Sequence, residues 1–139
     1  MSDVLVDSNV LLDILTQDPV WRDWSENALI ECAEHSVLAI NPIIYAEVAC
    51  GFSRKEELDV ALPRDRFRRE PLPWASAFLA GKSFIQYRRS GGVRRSPLPV
   101  FSIGAHAAVR GMTLLTRDAS RYRTYFPRLR IIAPGIAGN

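Results

Sequence analysis

Three short apolar runs constrain this chain more than any other feature: Val4–Val6, Val37–Ile40 and Met112–Leu115. Each is followed closely by polar residues able to start a helix, namely Asp7, Asn41 and Thr116-Arg117-Asp118. An unbroken apolar run of this length reads as a strand buried on both faces, which is the habit of parallel sheets covered by helices. The intervening segments carry helical signals. Leu11 to Leu15 forms a helical turn. Asp18-Pro19 reads as an N-cap followed by Pro at the first helical position, opening a helix with Trp21, Trp24, Ala28 and Cys32 as a core-facing stripe. Asn41-Pro42 repeats the signature and opens a helix through Ile44, Val48 and Ala49 that ends near Gly51. Lys55 to Leu62 is a further helix, stopped by Pro63, and Arg64 to Arg69 is a solvated basic segment.

A long helix follows from about Trp74 to Arg89, with Phe78, Phe84, Ile85 and Tyr87 as its apolar positions. Ser90 to Pro99 is a loop, Val100 to Arg110 a helix stopped at Gly111, Ala119 to Phe126 a helical turn and Leu129 to Ile132 a last strand. Strands alternating with helices imply right-handed crossovers and an α/β fold, a three-layer α/β/α domain with a mostly parallel central sheet. With 139 residues the chain is long enough for one domain, 1–139, around one core. Cys32 and Cys50 sit in apolar helical patterns and have no partner at ligand spacing, so they read as buried free thiols of a cytoplasmic protein. No secretion signal and no membrane-length apolar run is visible.

The net charge of +3 hides a strong segregation: residues 1–62 carry −9 and residues 63–139 carry +12. An acidic site beside a basic surface suits a protein that processes nucleic acid. The cations are 16 Arg and 2 Lys, and Arg matches phosphate oxygens with two parallel hydrogen bonds.

Three acids stand out. Asp7 and Asp118 follow strands, and Glu47 lies in the helix that Asn41 opens. In a parallel α/β sheet the carboxyl ends of the strands form the ligand crevice. Acids gathered there repel unless a cation neutralises them, and oxygen ligands suit Mg²⁺ or Mn²⁺. Ser8, Asn9 and Thr116 would support them. The simpler alternatives are that Asp7 and Asp118 cap helices and that Glu47 faces solvent. His106 reads as a packed or surface histidine rather than a general base. Arg88-Arg89 and Arg94-Arg95 flank a Gly-containing loop and, with Arg117, are candidate RNA contacts or a solvated surface.

Four segments resemble the motifs of PIN-domain ribonucleases, in particular the VapC toxins of bacterial toxin–antitoxin pairs. They are Val6-Asp7-Ser8-Asn9-Val10-Leu11-Leu12-Asp13, Asn41 to Val48, Leu98 to Ala107, and Leu114 to Asp118 with the Arg121 to Pro127 stretch. The resemblance spans nearly the whole chain. It implies Mg²⁺- or Mn²⁺-dependent RNA hydrolysis, a homodimer and a cognate antitoxin. An acidic pocket invites a cationic inhibitor, so the antitoxin segment is expected across the groove between the long helix from Trp74 and the helices around Glu47, with an Arg on the carboxylates. The third motif would place Asp directly after Leu98-Pro99, where this chain has Val100. The expected metal ligands are then Asp7, Glu47 and Asp118, enough for one weakly held ion, and catalysis is impaired. A non-catalytic PIN-like module that binds antitoxin or RNA is the alternative. A phosphoreceiver would need a strand-end Lys, and Lys55 and Lys82 fall in helical segments.

Overall fold

The computed structural model describes residues 3–92 and 98–135. In chain order its elements are β1 (Val4–Val6), α1 (Ser8–Leu15), α2 (Arg22–His35), β2 (Leu38–Ile40), α3 (Pro42–Ala49), α4 (Lys55–Ala61), β3 (Arg68–Arg69), α5 (Trp74–Arg89), α6 (Leu98–Arg110), β4 (Thr113–Leu115), α7 (Ser120–Arg123) and β5 (Ile131–Ile132). The strands form one parallel sheet in the order β3-β2-β1-β4-β5. Every residue of β1, β2 and β4 is buried, as their unbroken apolar runs require. β1 lies at the centre, in register with Leu38 and Ala39 on one side and with Thr113, Leu114 and Leu115 on the other. This registry brings the ends of β1, β2 and β4 to one edge, where Asp7, Asn41 and Thr116 follow.

Local chemistry sets the boundaries. The Asn41 side chain accepts from the Ile44 N–H at 2.9 Å, and Pro42 takes the first helical position, where no donor is needed. Gly111 adopts φ +65° past α6 and turns the chain into β4.

Five expectations change. The basic segment is not wholly solvated: Arg68–Arg69 pairs with Ala39–Ile40 as the edge strand β3. Ion pairs of Arg68 with Asp3 and Glu70, and of Arg69 with Asp59, compensate a strand that has no apolar signature. α2 begins at Arg22, because Asp18 caps an earlier turn through the Val20 and Trp21 N–H groups. Trp24 packs on the core, whereas the Trp21 ring lies under the Arg117 guanidinium. On α5 the buried residues are Ser76, Ala80 and Ser83, so small side chains let α5 approach α6 while Phe78 and Ile85 point outward. Cys32 is buried but Cys50 is exposed.

Candidate active site

β1 delivers Asp7 to the sheet edge in extended backbone, as the N-cap of α1. Its Oδ1 accepts from the Ser8 N–H at 2.8 Å. Its Oδ2 accepts from the Thr116 hydroxyl and from the Tyr122 hydroxyl, each at 2.8 Å. Asp7 is therefore both a cap and a buried carboxylate, only 4% exposed. Burial pushes its pKa up, and these three donors together with the Arg121 charge pull it partly back. Ser8 links the two acids, since its hydroxyl donates to Glu47 Oε1 at 2.7 Å. Glu47, near the end of α3, is half-buried. Burial raises its pKa, and the neighbouring Asp7 adds to that, while Ser8 and Arg121 oppose it.

Thr116 organises the β4 side. Besides donating to Asp7, its hydroxyl accepts from the Asn9 amide at 3.3 Å and from the Asp118 N–H at 3.1 Å. Asn9 accepts from the Arg117 N–H at 3.1 Å, which ties the start of α1 to the turn after β4. Asp118 stands at this turn with its carboxylate toward Ser120 (3.1 Å) and Arg121 (3.2 Å). Among the described residues no three His, Cys, Asp or Glu side chains come together as a metal-holding group. Ser8 links Asp7 and Glu47, and the Asp118 carboxylate pairs with Arg121.

The remaining sequence candidates divide sharply. Arg117 is bound to Asp13 through Nε (2.8 Å) and Nη2 (3.1 Å), and Asp13 also accepts from Ser25 at 2.7 Å. This ion pair packs α1, α2 and the β4 turn together. Arg88 and Arg89 are exposed at the end of α5, the former over the Phe84 ring. Arg94 and Arg95 lie outside the described residues. Val100, the third residue of α6, packs partly buried against the core. His106 is fully buried, with Nδ1 at 2.9 Å from the Asn41 amide nitrogen. It is a packing group that holds the start of α3 against α6.

Sequence reasoning missed one residue of α7 at this site, Tyr122. Tyr122 is 1% exposed, and its hydroxyl lies on Asp7. Burial, and then the Asp7 charge, hold its pKa well above the ordinary value. Gly104 of α6 makes room for it: a Cβ there would meet Phe126 at 2.5 Å and Tyr122 at 3.0 Å. The only trace of this in the sequence is the apolar spacing of Tyr122 and Phe126.

The PIN domain family matches residues 4–127, which takes in every element up to α7. The chain belongs to the PIN-domain family. It is 31% identical over 134 residues to Ribonuclease VapC10 of Mycobacterium tuberculosis, covering 96% of this chain and 93% of that protein. The PIN fold is shared with VapBC2 from Rickettsia felis, solved bound to a promoter DNA fragment, at 20% identity and a TM-score of 0.71 over 94% of this chain and 97% of that one. It is also shared with a toxin–antitoxin complex from Klebsiella pneumoniae, at 22% identity and a TM-score of 0.61 over 98% and 94% of the two chains.

This PIN domain presents only oxygen donors at its carboxylate pair, which suits a hard divalent cation. Asp7 and Glu47, joined through Ser8, fit one such ion. A second ion would need further carboxylates, and position 100 contributes none.

Proposed function

We propose that this PIN domain is a metal-dependent endoribonuclease, the toxin of a toxin–antitoxin pair, and that Val100 impairs its activity. The observation that carries the reading is the Asp7–Ser8–Glu47 pairing at the carboxyl end of the central strand. The VapC10 relative, a ribonuclease by name, supports the activity. Asp7 and Glu47 would hold the ion, Mg²⁺ or Mn²⁺, with Asp118 at the rim. Thr116 and Tyr122 orient Asp7, Ser8 orients Glu47, and Asn9 fixes the turn that carries Asp118. When bound, the ion supplies Lewis-acid polarisation of a phosphate oxygen. In the net reaction water adds to phosphorus, one P–O ester bond breaks, and the leaving oxygen takes up a proton.

Charge segregation supports RNA as the polyanion, with Arg88, Arg89, Arg94 and Arg95 as further contacts. The partner is an antitoxin. An apolar groove of about 910 Å³ runs between α1, α2 and α4, lined by Leu11, Ile14, Leu29, Ile30, Val60 and Phe67 among others, and suits an amphipathic helix. The sequence reading places the antitoxin segment instead between α5 and the helices around Glu47. The outer face of α5, with Trp74 91% exposed, is the surface for a homodimer. Among the described residues no helix is long and apolar enough to cross a membrane.

The test is cleavage of total RNA by the chain, by Val100→Asp and by Val100→Asp/Asp7→Asn, with Mg²⁺, Mn²⁺ or EDTA. The expected result is little cleavage by the chain, EDTA-sensitive cleavage by the single variant and none by the double variant. Val100 favours a second reading, a module that binds RNA or antitoxin without cutting. Failure of Val100→Asp to cleave, in a protein that folds, would select it.

A further inference from the structure

The acids at the sheet edge share one basic neighbour. Arg121, in α7, pairs with Asp118 through Nε at 3.2 Å. The next residue, Tyr122, sets its hydroxyl on Asp7, so the same turn of α7 holds Arg121 over this edge. The Arg121 charge reaches Asp7, Glu47 and Tyr122 alike, drawing each toward its ionised form. Arg117, the other cation on this turn, has Nε and Nη2 both on Asp13. Arg121 differs: among the described residues its ion-pair partner is Asp118, and its side chain is 51% exposed. A half-exposed guanidinium, tethered to one carboxylate and close enough for its charge to act on Asp7 and Glu47, can take a phosphate oxygen.

We propose that Arg121 binds the phosphate that the site cleaves and stabilises the negative charge developing on it, in a site that lacks a carboxylate at position 100. The inference rests on the ribonuclease reading above. Asp118 acts as the tether that aims the guanidinium, and Tyr122 fixes α7 to Asp7. The arrangement suits a site with one ion rather than two, because a fixed cation takes over part of the charge that a second ion would neutralise.

The test uses the full chain with Arg121→Ala, Arg121→Lys and, as a control on the same short helix, the exposed Arg123→Ala. An exposed ion pair adds little to stability, about 0–1 kcal/mol, so these variants fold; should Arg121→Ala unfold, Arg121→Gln makes the same comparison. The first readout is binding of a fluorescent single-stranded RNA oligonucleotide in EDTA at several salt concentrations. Arg121→Ala should weaken binding about tenfold and lower the salt slope by about one, with Arg121→Lys intermediate and Arg123→Ala within about twofold. The second readout is Mn²⁺ affinity, which should hold or tighten in Arg121→Ala because a competing cation has left. The third is cleavage in the Val100→Asp background, where Arg121→Ala should cost about 10²-fold. Unchanged RNA affinity and cleavage would overturn the proposal. So would weaker Mn²⁺ binding in Arg121→Ala, which would mean that Arg121 orders the carboxylates instead. If Val100→Asp cleaves nothing while Arg121→Ala still loses RNA affinity, the phosphate contact stands and the ribonuclease reading falls.

Discussion

Val100 stands in the first turn of α6, where backbone N–H groups lack intrahelical partners. A carboxylate there gains about 0.3–1 kcal/mol from the helix dipole and loses apolar packing worth about 1 kcal/mol. Val100→Asp should therefore fold with nearly unchanged stability and bind Mn²⁺ about tenfold more tightly, an effect on the scale of changes around a metal site. Calorimetric titration measures this, and equal affinities would remove position 100 from the site. His106 carries a second prediction. Asn41 Oδ1 already accepts from Ile44, so its amide NH₂ faces the ring, and Nδ1 must accept. The ring proton then sits on Nε2, which is buried without a partner. Burial holds the pKa below 6.5, with the Glu70 charge opposing that shift and the Arg110 charge adding to it. The unfolded chain takes up a proton near pH 6.5 and the native protein only at lower pH, so stability is lost as pH falls through this window, at about 1.4 kcal/mol per unit of displacement. Asp7 and Glu47, raised by burial, work the other way, gaining stability as pH falls through their native values. Thermal unfolding of the wild type and His106→Gln between pH 7 and pH 5 separates the two effects. The variant, which lacks the titrating imidazole, should decline less.

At the scale of elements, α7 has four residues and cannot hold itself together. Tyr122 and Phe126 seat it over Gly104 of α6, and this contact puts the Tyr122 hydroxyl on Asp7. Gly104→Ala should push the two rings off, cost about 1–3 kcal/mol by overpacking and weaken Mn²⁺ binding as Asp7 loses a donor. Urea unfolding with a parallel Mn²⁺ titration checks both. Full stability and full affinity together would show that α7 adapts without moving Tyr122. The same scale explains where sequence reading stopped. Asn41-Pro42 marked α3 unambiguously, because cap and Pro act within four residues. The α5 pattern misled, because the close approach of α5 to α6 selected Ser76, Ala80 and Ser83 for the interface and left the larger Phe78 outside, 70% exposed. β3 was hidden because an edge strand held by ion pairs has no apolar signature.

For the whole molecule, the groove between α1, α2 and α4 carries the partner prediction. Ile30 and Val60 line it and are themselves exposed, so Ile30→Asp and Val60→Asp should fold normally. Each should abolish co-purification with the antitoxin encoded alongside. Retained complex formation in both would move the antitoxin to another face. By itself the sequence determined the α/β fold, the three central strands and the placement of Asp7, Asn41 and Thr116 at strand ends. Those features depend on unbroken apolar runs and short-range capping, which neighbouring residues settle among themselves. Tertiary structure alone decided the pairing within the site. Ser8 joins Glu47 across 39 residues and Tyr122 joins Asp7 across 115, separations at which no local pattern survives. It also committed Arg117 to Asp13, 104 residues away, because the packing of α1 and α2 against the β4 turn brings that carboxylate within reach.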